Sequence, residues 1–259
     1  MTIPFKPGRV VAARLFASGD IELIRVSKSV NLIPPNRTDT KLVWLSAKSR
    51  TRMLFMLRNT NVIFRSMYCL SYPAVWSNDG RAVKADLNRW LTWFRRKVPG
   101  VPYFWFLEFQ TRGAPHIHIY LAARVRELPH REMAIAWAGF IAGDDRATYD
   151  KVLAVHAHPK QLQDFKTRDG SIRYAAKYAL KTRQKSVPTA YQNVGRFWGA
   201  SRAVKQAVPE GDIVPLDDRS IEEHLYSIGH RAAKFDVLPK IIFGVFESED
   251  SNDQAQDIT

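Results

Sequence analysis

The chain has 259 residues, with 39 Lys and Arg against 25 Asp and Glu and a formal net charge of +14. Its 46% hydrophobic content excludes a globally disordered chain, and the single cysteine, Cys69, excludes an internal disulfide framework and a multi-cysteine zinc site. No apolar run approaches the roughly 20 residues that span a bilayer and the N-terminus lacks a signal-peptide pattern. The expectation is a protein of a reducing cytoplasm with no membrane partner, whose basic excess points to a polyanion, most often nucleic acid.

Residues 9–26 read as two short strands around an Ala17-Ser18-Gly19-Asp20 turn, and Pro34-Pro35 breaks the chain after them. Residues 46–58 read as a helix that Ser46 can cap, basic on one side, with Met53, Leu54 and Leu57 as an apolar patch. The β-forming run 62–73 ends at Pro73 and reads as a strand. Over 82–97, Leu87, Trp90, Leu91 and Phe94 recur at helical spacing as a core stripe, and Lys84, Arg89, Arg95, Arg96 and Lys97 form a basic outer face. Residues 101–110 and 116–123 then form a hairpin around the loop 111–115, which holds Gly113 and Pro115.

Farther on, 129–141 reads as a helix, 151–158 as a strand, and 171–184 as an alanine-rich helix with Asp169 or Ser171 as its cap. This order predicts an α+β domain with an antiparallel sheet and helices on one face. Beyond Pro209 come a candidate helix over 219–234, an apolar strand over 240–246, and an acidic end over 247–259 with the composition of a disordered tail. The expected organisation is an N-terminal hairpin extension (1–40), a main domain (41–205), an accessory helix and strand (206–246), and the tail. There is no internal repeat and no GxxxxGK[ST] nucleotide loop.

Chemistry concentrates at His116-Ile117-His118. Strand residues two apart share a face, so both imidazoles can reach one metal ion while Ile117 and Ile119 face the core. Two solvated strand histidines would read the same way. The preceding strand separates the two readings: if the loop is Thr111–Pro115, Gln110 pairs with His116 and Glu108 sits opposite His118, all four on one face. One carboxylate, two imidazoles and an amide suit Mg²⁺ or Mn²⁺ with open positions better than a closed zinc site. His156-Ala157-His158 has the same parity but no matching carboxylate, and reads as exposed strand-end histidines.

In the 171–184 helix, Ile172, Ala175, Ala176, Ala179 and Leu180 share one face, and packing through it presents Tyr174, Lys177, Tyr178 and Lys181 together. Two tyrosines at a helix edge beside surface lysines are the alternative. A phenol with a pKa of about 10 needs a nearby cation or a polarised electrophile to act as a nucleophile, and lysines one turn on supply positive charge.

Taken together, these two elements resemble the HUH endonucleases, and more narrowly the two-tyrosine rolling-circle replication initiators (Rep) of single-stranded-DNA phages and plasmids. The resemblance covers about residues 45–200. Besides the histidine pair and Tyr174-Ala-Ala-Lys177-Tyr178-Ala-Leu-Lys181, it rests on Leu70-Ser71-Tyr72-Pro73, on the run Leu107–Pro115, and on Val194-Gly195-Arg196-Phe197-Trp198-Gly199. Ser71 stands where threonine is commoner in that family.

The resemblance implies an RRM-like or ferredoxin-like fold of about five antiparallel strands, with the histidines on a central one. It also implies a Mg²⁺ or Mn²⁺ ion held by His116, His118 and Glu108, with Gln110 behind them. Tyr174 or Tyr178 would attack a phosphodiester of single-stranded or extruded-hairpin origin DNA, leaving a 5′-phosphotyrosine and a free 3′-hydroxyl. Lacking an ATPase loop, such a protein would borrow a host helicase and DNA polymerase. Arg112, Arg196, Trp198, Arg89, Arg95 and Arg96 are candidate DNA contacts, although Trp198 reads equally as a loop anchor. The rival readings are an HUH transposase, which the tyrosine pair disfavours, and a non-catalytic single-stranded nucleic-acid-binding module, which would carry aromatic residues on the exposed sheet face.

Overall fold

A computed structural model describes residues 9–27, 45–74, 76, 79–180, 187–215 and 242–248. In chain order the strands and helices are β1 (Arg9–Leu15), β2 (Ile21–Ser27), α1 (Ala47–Asn59), β3 (Ser66–Ser71), α2 (Gly80–Lys97), β4 (Tyr103–Phe109) and β5 (Pro115–Leu121). They continue with α3 (His130–Ala142), α4 (Arg146–His156), β6 (Leu162–Asp164), α5 (Arg168–Leu180), β7 (Trp198–Ala200), α6 (Arg202–Gln206), β8 (Asp212–Pro215) and β9 (Ile242–Ser248). The chain divides into two units, one drawn from 1–37 with 209–259 and the other continuous over 38–208.

The first unit joins segments that the sequence leaves apart. β1 and β2 pair antiparallel around the expected turn, where Gly19 takes a φ of 80°. β8 then adds antiparallel to β1, and β9 adds parallel to β2, giving the order β8-β1-β2-β9. Arg14 pairs with the buried Glu22 across the hairpin at 2.5 Å. The candidate helix over 219–234, the Pro34-Pro35 break and the end of the acidic tail lie outside the described residues.

The second unit is α+β, built on a five-stranded sheet of order β6-β3-β5-β4-β7 in which every neighbouring pair is antiparallel. β5 is the middle strand, and α2 connects β3 to β4 across it. Ile117, Ile119 and Leu121 of β5 are fully buried, with Leu107 and Trp105 of β4 beside them, against Val83, Leu87, Trp90, Leu91 and Phe94 of α2 and Met133 and Trp137 of α3. Trp90 stacks between Tyr68 and Phe94, with centroids 5.7 and 5.2 Å away, and its indole N–H donates to the Met133 carbonyl.

Helices cover both faces of this sheet, where the sequence pattern predicts one. Phe104, Phe106, Tyr120, Met67 and Cys69 form a second cluster with Met53 and Leu57 of α1 and Ala175 of α5. The cause is visible in β4: Tyr103-Phe104-Trp105-Phe106-Leu107 is apolar at every position, the pattern of a strand buried on both sides. The basic helix α2 therefore packs on the face opposite the histidine pair. Lys84, expected on its outer face, lies 3.8 Å over the Trp105 ring and donates to the Arg196 carbonyl at 2.6 Å.

Two other expectations change. Residues 151–156 form the second half of helix α4, with Ala157 as its C-cap, and not a strand. Asp145 caps it by accepting from the Thr148 N–H, and an Arg146–Asp150 ion pair spans one turn. Helix α5 begins at Arg168, with Thr167 accepting from the Gly170 N–H, so Asp169 and Ser171 lie in its first turn instead of capping it. Ser46 caps α1 as expected. Among the described residues no helix is long and apolar enough to cross a membrane.

Replacing Trp90, fully buried at the centre of the helix-facing core, by Ala removes its stacking partners and indole hydrogen bond together. Urea unfolding of Trp90→Ala is expected to show a loss of about 3–5 kcal/mol, and a loss below about 1 kcal/mol would contradict this packing.

Candidate active site

The hairpin of β4 and β5 pairs Phe109 with Pro115, Glu108 with His116 and Phe106 with His118. This is two residues away from the predicted register. The turn is closed by the Gln110 N–H donating to the Ala114 carbonyl and the Gly113 N–H to the Gln110 carbonyl, so Gln110 belongs to the turn and not to the strand. Gly113 there has a φ of 82°, a conformation side chains other than glycine rarely adopt. A shift of two preserves parity, so Glu108, His116 and His118 still project from one face.

The expected partners meet diagonally. His118 Nε2 lies 3.0 Å from Glu108 Oε1, and Gln110 Nε2 lies 3.2 Å from His116 Nδ1. The two imidazole centroids are 4.6 Å apart, and His118 stacks on Phe106 at 4.6 Å. The Arg112 Nε–H donates to Gln110 Oε1 at 2.8 Å, which turns the amide N–H toward His116. His116 Nδ1 thus accepts; rotating the amide half a turn would serve the other tautomer. Burial, helped by the His118, His156 and Arg112 charges, holds His116 well below the ordinary imidazole range, at about 3, so it stands neutral and able to ligate a cation.

Sequence reasoning missed Cys69 as a member of this site. It lies on β3 directly opposite His118, with Sγ 3.4 Å from His118 Nδ1. Burial, with the Glu108 carboxylate adding, pushes its thiol up to about 12. The signal was available, since parity along β3 puts Met67, Cys69 and Ser71 on one face.

Helix α5 brings the nucleophile candidate to the same place. Ile172, Ala175 and Ala176 are buried as predicted, and the Tyr174 ring meets His118 edge-on with centroids 5.8 Å apart. Lys177 is exposed one turn on. The side chain of Tyr178 and all of Lys181 lie outside the described residues. Arg168 at the start of α5 donates to the Arg58 and Thr60 carbonyls at the end of α1, tying together the two helices on this face.

The remaining candidates separate. Arg112 clamps the turn to the end of β3, donating to the Tyr72 and Pro73 carbonyls at 2.6 and 2.9 Å and lying over the Trp76 ring. Trp198 stacks on Phe104 and donates to Ser49 Oγ at 3.0 Å, the anchor reading of this residue. On the opposite face of the sheet, Arg89 donates to Asp86 and to the Phe140 carbonyl, and Arg95 to the Tyr103 hydroxyl. Arg96 and Arg196 are exposed.

His156 is buried, not a strand-end histidine. Its Nδ1–H donates to the Val152 carbonyl at 2.8 Å, leaving Nε2 to accept the Ser71 N–H at 3.0 Å. With Trp137 donating to the Ser71 carbonyl, it fixes the end of β3 that pairs with His116.

A carboxylate, two imidazoles and a phenol thus converge on one patch of sheet. Residues 65–183 match the family model for the replication-associated protein ORF2. That span holds Glu108, His116, His118, Tyr174 and Tyr178. No curated protein and no solved structure matches the chain.

Burial holds the His156 imidazole at about 4, below its ordinary value near 6.5. Above about pH 6.5 both folded and unfolded forms are neutral there and the residue adds no pH dependence. Below it the unfolded chain takes the proton first, so stability falls toward pH 4, by at most about 1.4 kcal/mol per pH unit for this group. Chemical unfolding across this range is expected to show a shallower slope in His156→Gln than in the wild type; equal slopes would contradict the assignment.

Proposed function

We propose that the protein is a rolling-circle replication initiator that nicks one strand of origin DNA through Tyr174 and later rejoins it. The family match supports a role in replication. The observation that carries the finer reading is the placement of the Tyr174 ring against His118, on the face that also bears His116 and Glu108.

The donor set fits a hard divalent ion such as Mg²⁺ or Mn²⁺. Glu108 Oε1 and His118 Nε2 are 3.0 Å apart, and adjacent ligand atoms each about 2.1 Å from an octahedral ion lie about 3.0 Å apart. His116, His118 and Glu108 would hold the ion; with the Gln110 amide turned so that its oxygen accepts from His116 Nδ1–H, the His116 lone pair would lie on Nε2 for the ion. When bound, the ion would polarise the scissile phosphate.

The chain's own groups supply the rest. The Tyr174 hydroxyl attacks phosphorus, the P–O3′ bond breaks, and the phenol proton is lost as the departing 3′ oxygen gains one, giving a 5′-phosphotyrosine and a 3′-hydroxyl that primes synthesis. The phosphodiester is exchanged for a phosphotyrosine ester of similar free energy, so the reverse step needs no ATP. Lys177, one turn from Tyr174, places positive charge beside the developing phenolate and the phosphate. Tyr178 would serve as a second nucleophile and Lys181 as its cation. Helicase and polymerase activities would come from the host.

Single-stranded origin DNA would run over the helices on the histidine side of the sheet. α1 carries Arg50, Arg52 and Arg58 with no acidic residue, and α5 exposes Arg173 and Lys177.

With Mn²⁺ and single-stranded origin DNA, the wild type is expected to form a covalent adduct on a denaturing gel. Tyr174→Phe combined with Tyr178→Phe forms none, and persistence of the adduct would refute the mechanism. His116→Ala and His118→Ala each lose about 100-fold or more in cleavage while largely retaining DNA affinity; an equal loss of binding would favour the binding-module reading. Separately, Arg52→Glu with Arg173→Glu should weaken single-strand binding and flatten its salt dependence by about one unit per lost phosphate contact. Arg96→Glu, on the other face, should do neither.

A further inference from the structure

His118 has two ring nitrogens and a different kind of ligand beside each. Nε2 faces an oxygen, Glu108 Oε1 at 3.0 Å; Nδ1 faces a sulfur, Cys69 Sγ at 3.4 Å. Ligating atoms of Cys69, His116 and His118 all lie within 4.8 Å of one another, the only such group of three among the described residues. The sulfur edge has the dimensions of a zinc site. With Zn–S about 2.3 Å and Zn–N about 2.05 Å at a tetrahedral angle, the two donors lie about 3.6 Å apart.

We propose that Cys69, His118 Nδ1 and His116 form a second, alternative metal site that takes a soft divalent cation, zinc above all, and in doing so switches off the hard-ion site. This inference rests on the reading of His116, His118 and Glu108 as the site of Mg²⁺ or Mn²⁺. Its logic is the tautomer of one ring. A neutral imidazole has a single lone pair, so His118 ligates through Nε2 or through Nδ1 and not through both. A carboxylate only accepts, so the present hydrogen bond to Glu108 puts the proton on Nε2 and leaves the Nδ1 lone pair facing the thiol. That is the tautomer the soft site requires. Zinc binding displaces the thiol proton to solvent and forms the metal–sulfur bond. It leaves Nε2–H donating to Glu108 and removes His118 from the set that would hold the hard ion.

Ligand chemistry separates the two sites. Thiolate selects zinc, cadmium or cobalt, whereas carboxylate with imidazole accepts manganese and magnesium. Cys69 is the only cysteine in the chain, so any thiolate signature has one source.

The test uses the full-length protein under anaerobic, thiol-free conditions. Cobalt titration of the wild type should produce a near-ultraviolet thiolate-to-cobalt charge-transfer band, absent in Cys69→Ser. Zinc should displace the cobalt, with an affinity at least tenfold weaker in Cys69→Ser, and should inhibit manganese-dependent cleavage of the wild type. X-ray absorption of the zinc-loaded wild type, which needs no variant to fold, should show sulfur about 2.3 Å from the metal. If the wild type binds Mn²⁺, followed by its paramagnetic resonance signal, but the cobalt and zinc spectra show only nitrogen and oxygen ligands, this inference is overturned and the hard-ion reading stands. If Mn²⁺ does not bind at all while the cobalt band forms, the hard-ion reading fails and the sulfur site survives as a site in its own right.

Discussion

The period-two alternation of β5, with neighbours on both sides and helices on both faces, is the constraint on which the second unit depends. Its odd positions, Ile117, Ile119 and Leu121, are fully buried against α2 and α3. Its even positions, His116, His118 and Tyr120, face α1 and α5. A slip of one residue would drive two imidazoles into the apolar side and three aliphatic side chains out of it, each displaced aliphatic alone costing about 1.5–3 kcal/mol. A slip of two leaves the faces unchanged, which is how the hairpin differs from its predicted pairing without losing the site. The turn decides between the two, and Gly113 with the Arg112 clamp fixes the turn.

The site is held from behind as firmly as from within. The last residue of β3, Ser71, gives its N–H to His156 and its carbonyl to Trp137, and the next two carbonyls go to Arg112. These bonds come from a loop and two helices and converge on one strand end, which pairs with His116. Buried backbone groups are seldom left unsatisfied, and here their partners also set where β3 ends. His156 therefore acts on the site through β3 and not as a ligand of its own.

Much of this was legible in the sequence. The stripe Leu87, Trp90, Leu91, Phe94 marked α2, strand parity put His116, His118 and Glu108 on one face, and Ile172, Ala175 and Ala176 marked the side on which α5 packs. What was missed has physical causes. Val-Leu-Ala-Val-His-Ala-His over 152–158 reads as a strand in isolation because its β-branched residues outweigh a cap, Asp145, seven residues upstream. The strands β6 and β7 have three residues each, too short for any periodicity to show. Cys69 drew notice only for the bridges it could not make, because its neighbour His118 is distant in sequence and adjacent only through the β3–β5 pairing.

The first unit takes its middle strands from one end of the described chain and its outer strands from the other, with the whole second unit between them. During synthesis, β1 and β2 therefore leave the ribosome first yet gain their flanking strands last. The continuous second unit is synthesised whole before β8 and β9 exist, so until then the hairpin has both backbone edges unpaired. Open edges invite pairing with other chains, and closing a sheet over so long an intervening segment is slow. Slower synthesis before β8, or a high density of ribosomes on one message, thus endangers the small sheet and spares the second unit.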